Sequence, residues 1–348
     1  MFFPSSCPVS ASRRRPAAFA APAFFVLSAL IPVLITCGAD AVAPPPPPVE
    51  PGPVEPRPVP DPPAIQIPAR GTPGTLDVAT WNLLYFGAAN QGPDDEPLQM
   101  ARVRDVILGT DADLWGVQEV TDADAFAALL DRLPGYRGFL ANDDASVSGG
   151  SDSYNRGELK VGLIYKSSVA EVADARVILT DLDYEFAGRP PLEVQLRVTI
   201  GGASRNIVLI VLHAKAVADQ TSWERRMAAG EGLHEYLDAT WPDRAVLVPG
   251  DWNDDVDESI TRGRDTPYRV FVDAAPEWVF PTASLSAAGA RSMPRYTEVI
   301  DHILASDEVM AWYEEGSAMV YQVDEFIDGY LDTTSDHLPV MARFAPGG

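Results

Sequence analysis

Cysteine is almost absent: the 348 residues include two, Cys7 and Cys37, both near the N-terminus. The rest of the chain therefore has no disulfide, no zinc–thiolate site and no cysteine nucleophile. Histidine is scarce, with four in all, and basic residues are outnumbered, 26 Lys and Arg against 50 Asp and Glu, for a net charge of −24. Such a polyanion excludes a chain that wraps nucleic acid through a broad basic face. A compact phosphate site stays open, because salt screens exposed charge beyond about 8 Å and local groups decide such a contact. An internal repeat and a glycine motif of the P-loop or Rossmann kind are missing as well.

The N-terminus has the character of an export signal over residues 1–37: Arg13, Arg14 and Arg15 precede an apolar run over 17–36 that Pro22 and Pro32 interrupt. Removing these residues leaves 23 basic against 50 acidic side chains, a net charge of −27. Two processing readings stand side by side, and an uncleaved membrane anchor is a third. Leu34-Ile-Thr-Cys37 resembles a bacterial lipoprotein box with Cys37 lipidated, although Thr36 departs from the usual small residue. Ala39-Asp-Ala41 is an alternative cleavage site that releases a soluble protein. All three place the remainder outside the cytoplasm. Twelve of the 20 residues over 44–63 are proline, which predicts a semi-rigid polyproline II spacer within a linker at 38–73. A catalytic domain over 74–348 is expected to follow.

Within 74–348, strands and helices alternate. The spacing predicts strands over 76–81, 114–117, 160–165, 169–179, 192–200, 206–212, 245–248, 299–304 and 339–344, with helices over 97–108, 122–133 and 222–239. Gly201-Gly202 joins two strands as a hairpin, so hairpins coexist with β–helix–β units. This mixture argues against one doubly wound parallel sheet. It predicts an α/β fold of two packed mixed β-sheets flanked by helices.

Polar groups recur where the apolar runs end. Asn82 follows Trp81, Glu119 follows Gln118, and His213 follows Leu212. Asp251 and Asn253 follow Pro249-Gly250, Asp301 precedes His302, and Asp336 precedes His337. Any one of these is as well explained by structure as by chemistry. Their recurrence at strand ends, where open α/β sheets place ligands, is the signal. Asp251 and Asn253 are two apart, so extended backbone would point both the same way, as suits a hard cation or a water aimed at phosphorus. Trp252 is expected to pack, Asp254 and Asp255 to be solvated, and His302 to face the other side of its strand from Asp301. His234 lies within a helix and is read as a surface or packing residue.

The order Trp-Asn82, Val-Gln-Glu119, Leu-His213, Gly-Asp251-Trp-Asn253, Ile-Asp301-His and Ser-Asp336-His337-Leu-Pro resembles the endonuclease/exonuclease/phosphatase superfamily, over residues 74–344. In detail it is most similar to deoxyribonuclease I-like enzymes and secreted bacterial nucleases. Departures are the absent disulfide and the apolar Leu84 at a position where some DNA-repair relatives carry a second acid. The resemblance implies a four-layered α/β sandwich and a phosphoester hydrolase needing Mg²⁺, or Mn²⁺ or Ca²⁺. It implies Glu119, with Asn82 and Asp336, as metal ligands. It further implies that Asp251 and Asn253 orient or deprotonate the attacking water or bind a second cation, with His337 paired with Asp301, His213 paired with Glu158, and Arg189 as a substrate-phosphate contact. Two histidine–acid pairs would supply one base and one acid for in-line water attack, without fixing which histidine does which.

A nuclease acting on DNA, or on RNA, with weak affinity and little sequence preference is the expectation, working as a monomer. The acidic surface is the main discomfort with it, because polyanion repulsion gives no long-range steering. The rivals on the same scaffold are phosphoinositide phosphatases and sphingomyelinases, whose lipid substrates call for an apolar membrane-facing loop. The longest loops, 146–157 and 254–266, are polar. A non-catalytic surface domain is the remaining alternative, and none of the catalytic positions is missing.

Overall fold

The computed structural model describes residues 62–154 and 157–347. The export signal at 1–37 and most of the proline spacer lie outside the described residues. Twelve strands form two six-stranded sheets. They are β1 (Leu76–Phe86), β2 (Leu114–Val120), β3 (Tyr136–Leu140), β4 (Lys160–Lys166), β5 (Ala170–Val177), β6 (Leu192–Ile200), β7 (Ala203–His213), β8 (Val246–Asp251), β9 (Trp278–Val279), β10 (Asp301–Ser306), β11 (Met319–Val320) and β12 (Val340–Phe344). One sheet has the order β11-β12-β1-β2-β4-β3 and the other β5-β6-β7-β8-β10-β9. Both are mixed: β1 pairs with β2 and β7 with β8 in parallel, and the other ladders are antiparallel.

Strand alternation builds the layers. Leu76 and Val78 of β1, Leu209 and Val211 of β7, Leu247 of β8 and Ile303 of β10 meet in the core between the sheets. The intervening residues face outward. Ala79, Trp81 and Trp115 lie under the helices α1 (Glu96–Thr110) and α2 (Ala123–Leu130). Val208, Ile210, Val246 and Val248 pack with Leu233 and Leu237 of the long helix Gln220–Thr240. Helix–sheet–sheet–helix is the four-layered α/β sandwich that the alternation of elements and the resemblance predict.

An aspartate caps each of the three longer helices. Asp95, Asp122 and Asp219 accept from the backbone N–H groups of Leu98, Ala125 and Ser222 and start α1, α2 and the long helix. Gly116 lets the two sheets approach closely, since a Cβ there would lie 3.2 Å from Pro249 Cγ and 3.3 Å from Val211 Cγ1. Packing begins before the expected boundary at Gly74. Ile67 is buried against α1, the N–H of Ile65 donates to Asp105, and those of Arg70 and Gly71 donate to the carbonyl of Thr110. The apolar pair Ile65 and Ile67 is what the proline-dominated composition hides. Among the described residues no helix is long and apolar enough to cross a membrane.

Candidate active site

The inter-sheet face of each central strand carries the site. Continuing the alternation, Asn82 follows Val78 and Thr80 on β1, His213 follows Val211 on β7, Asp251 follows Leu247 and Pro249 on β8, and Asp301 starts β10 beside it in register. The core ends where these polar groups begin. There a cleft of about 570 Å³ opens, lined among others by Glu119, His213, Asp251, Asn253, Asp336 and His337.

Glu119 reaches this cleft by breaking the rule of alternation. Parity from Trp115 and Val117 would send it under the helices, but its φ of +58° and a register shift between Val117 and Val120 turn it inward. Its Oε2 accepts from the N–H of Tyr85 at 3.2 Å. Leu84 and Tyr85 are themselves left-handed, with φ of +50° and +52°. Gln99 of α1 holds this segment by donating to the carbonyls of Leu83, Leu84 and Thr334. Left-handed backbone at three non-glycine residues on the adjacent strands β1 and β2 costs energy that the surrounding contacts must offset.

Two histidines face one carboxylate. His337 Nδ1 lies 2.8 Å from Asp301 Oδ2, and its Nε2 lies 3.9 Å from Asp251 Oδ2. His213 Nε2 lies 3.4 Å from Asp251 Oδ2 and 3.8 Å from Glu119 Oε1. Asn82 Nδ2 donates to the same Asp251 oxygen at 3.0 Å. Their proton affinities diverge. Burial works against charge on His337, but the carboxylates of Asp301 and Asp251 outweigh it and hold its pKa up to about 10. Burial, with Arg189 and His337 nearby, pushes His213 well below the ordinary histidine range. Burial and the charge of Asp301 raise Asp251 to about 7, against the pull of His337.

Several expectations are corrected. His213 is not paired with Glu158: its Nδ1 is buried without a hydrogen-bond partner, and its contacts run through Nε2 to Asp251 and Glu119. Glu158 sits in the turn before β4 instead, beside Gly188, where its carbonyl accepts from Lys160. Asn82 stands in the cleft with its Oδ1 accepting from the N–H of Leu84 and its amide nitrogen bracing Asp251. Asp251 and Asn253 do not share an extended backbone. Asn253 has a φ of +53°, its N–H folds back to Asp251 Oδ1 at 2.9 Å, and its Nδ2 donates to the carbonyl of Ala214. Nor are Asp254 and Asp255 solvated. Asp254 and Arg226 form a fully buried ion pair at 2.7 Å, and Asp255 accepts from the N–H of Val299. His302 faces away, between Thr282 and the carbonyl of Val299, and Trp252 packs edge-on against Tyr268 and Phe280.

Arg189 lies outside the cleft proper, in a neighbouring groove with Lys215 and Arg225. Its Nη2 donates to the carbonyl of Ala214 at 2.7 Å, the acceptor that Asn253 also uses. Residues missed from sequence are those of the rim: Tyr85, Val217, Met293 and Tyr296. Val217, Met293 and Tyr296 belong to loops without periodicity, and Tyr85 lies in the left-handed end of β1. Lys215 alone was within reach, two residues past His213.

The family model of the Endonuclease/Exonuclease/phosphatase family matches residues 79–337, which includes every cleft carboxylate and both histidines. The chain belongs to that family. It is therefore a metal-dependent phosphoester hydrolase. The fold is similar to that of the human Nocturnin catalytic domain with bound sulfate anion, at 21% identity, 78% of this chain, 95% of that one and a TM-score of 0.53. A humanized D. rerio TDP2 carrying 14 mutations (13%, 78% and 99%, 0.54) and an AP endonuclease from Archaeoglobus fulgidus (16%, 77% and 99%, 0.52) are similar in fold too. No curated protein matches the chain.

The family's divalent metal fits the donors present. Asp251, Asp301 and His337 offer ligand atoms within 4.8 Å of one another, and Asp301 Oδ1 is buried without a hydrogen-bond partner. Glu119 and Asp336 add two further carboxylates to the cleft. Such an oxygen-rich, anionic donor set is what a hard cation requires.

Proposed function

We propose that the protein is an exported, Mg²⁺-dependent phosphodiesterase that hydrolyses nucleic acid. The observation that carries this reading is a pair of histidines converging on one carboxylate, with His213 Nε2 3.4 Å and His337 Nε2 3.9 Å from Asp251 Oδ2. The carboxylates of Asp301 and Asp251 raise the proton affinity of His337, while burial lowers that of His213. Hydrolysis of a P–O bond near neutral pH needs one acid and one base, and the pair provides both.

Glu119 and Asp336 would hold the cation, with Asp301 Oδ1 a further donor and His337 Nδ1 left to Asp301 Oδ2. When bound, the cation neutralises charge on the phosphoryl oxygens. Asp251, held by Asn82, orients the water, and neutral His213 takes its proton as the water oxygen bonds to phosphorus. His337 donates its Nε2 proton to the departing oxygen. Asp301 keeps that imidazole oriented and protonated.

A lipid phosphoester is the second reading, favoured by one observation. Val217 and Tyr296, 58% and 57% exposed, stand at the cleft mouth, where an acyl chain or a base could lie. A side-by-side assay of DNA, RNA, sphingomyelin and inositol phosphates with Mg²⁺ and with EDTA decides between them. Turnover of sphingomyelin or inositol phosphates alone contradicts the nuclease. Export rests on residues 1–37, with Cys37 lipidated or the chain released after 39–41. Recovery of the unprocessed chain in the cytosol contradicts it.

A further inference from the structure

Beside the catalytic cleft runs a second groove of about 520 Å³, whose lining includes Arg189, Lys215, Arg225 and Tyr184. Three cations here are conspicuous on a chain of net charge −24. Among the described residues Asp183 is the only acid in the lining, and Glu158 stands beside Gly188 at its edge. The two cavities share Ala216 and are divided by the segment at Ala214, whose carbonyl accepts from Asn253 on one side and Arg189 on the other.

The cations are built in. Arg189 is 8% exposed and its Nε is buried without a hydrogen-bond partner. Arg225 donates through Nε and Nη2 to the carbonyl of Tyr184, and its Cζ stacks 4.1 Å from the centre of that tyrosine ring. Its Nη1 takes no part in that contact. The cation covers one ring face, yet Tyr184 is 61% exposed, more than any other large apolar residue of the described chain. Burial and the guanidinium groups of Arg225 and Arg189 hold Lys215 below the ordinary lysine range, so the cluster repels itself and an anion would relieve it.

We infer that Lys215, Arg225 and the Arg189 guanidinium beside them bind a second phosphate, adjoining the one that is cleaved, while the free face of Tyr184 stacks an unpaired base. The substrate class that follows is single-stranded oligonucleotide, because a base paired in a duplex has no face to offer the ring. This inference rests on the phosphodiesterase reading of the cleft. It also accounts for phosphate recognition by an acidic protein: the contact is local, where Arg forks and a lysine meet one anion at short range.

The test uses the full chain in Mg²⁺ buffer and begins with binding. Thymidine 3′,5′-bisphosphate should bind about tenfold tighter than thymidine 5′-monophosphate, as expected for one added charge-assisted contact. In Lys215→Ala/Arg225→Ala the two ligands should bind alike. Lys215→Met, which keeps the apolar stem, should lose part of the preference, and Arg205→Ala, far along β7, none. In turnover, the kcat/KM ratio of oligothymidylate to bis(p-nitrophenyl) phosphate should fall ~10–100-fold in the double variant. Tyr184→Ala should lower it several-fold. A wild type without the bisphosphate preference, or a double variant that keeps it, overturns the inference. A wild type that shows the preference but leaves oligothymidylate intact contradicts the nuclease reading and leaves the second phosphate site standing.

Discussion

Replacing Asp301 by Asn probes the asymmetry of the two histidines. Asp301 is fully buried, and its Oδ2 is 2.8 Å from His337 Nδ1. The rise of His337 from 6.5 to about 10 is equivalent to about 5 kcal/mol of preference for the charged ring. Burial opposes that preference, and of the groups that favour the charge Asp301 contributes most. Asparagine preserves shape and one acceptor oxygen but removes the largest of the charges that hold the proton, so that only Asp251 and Asp336 remain against burial. The proton affinity of His337 should fall, and with it the fraction of enzyme able to protonate the leaving oxygen. With oligothymidylate, whose alkoxide leaving group needs the proton, the expected result is a ~10²–10⁴-fold fall in kcat at pH 7. The loss should shrink as pH falls, where the ring regains its proton. A variant with wild-type kcat and an unmoved pH profile would refute the assignment of His337 as a charged acid.

His213→Ala should lower kcat by about 10²–10⁴-fold with an unchanged circular dichroism spectrum, and wild-type turnover would remove it from the mechanism. Asp254→Ala strands Arg226 without its buried partner, which should cost about 3–5 kcal/mol in urea unfolding; a loss below about 1 kcal/mol contradicts the buried-pair reading. Asp251 has a folded pKa raised to about 7, so its contribution to stability is complete below about 4 and is lost as pH rises through 7. In EDTA, Asp251→Asn should therefore gain stability relative to wild type across that window, read by thermal unfolding at stepped pH, and a constant difference would contradict the raised pKa.

Much of this site was legible because alternation does the positioning. On β1, β7, β8 and β10 a period of two carries each strand from inter-sheet core to polar terminus, so Asn82, His213, Asp251 and Asp301 were predictable in place as well as in type. The sequence was silent where backbone leaves that period. Glu119 and Asn253 take left-handed φ values, which reverses the parity argument for one and voids the shared direction assumed for the other. Asp254 looked solvated because its partner, Arg226, lies 28 residues away on a helix. The edge strands β9 and β11 have two residues each, too few to show a period, and β3 begins directly after Pro134-Gly135, where turn chemistry masks it. The rim and the second groove come from loops whose meeting only the fold decides.

The most direct measurement follows cleavage of a single-stranded oligonucleotide by the full chain with Mg²⁺, with excess EDTA, and with His337→Ala in Mg²⁺. The account predicts product from the wild type in Mg²⁺, none in EDTA, and at least a hundredfold slower release by the variant. Equal cleavage in all three, or none in the first, would contradict it.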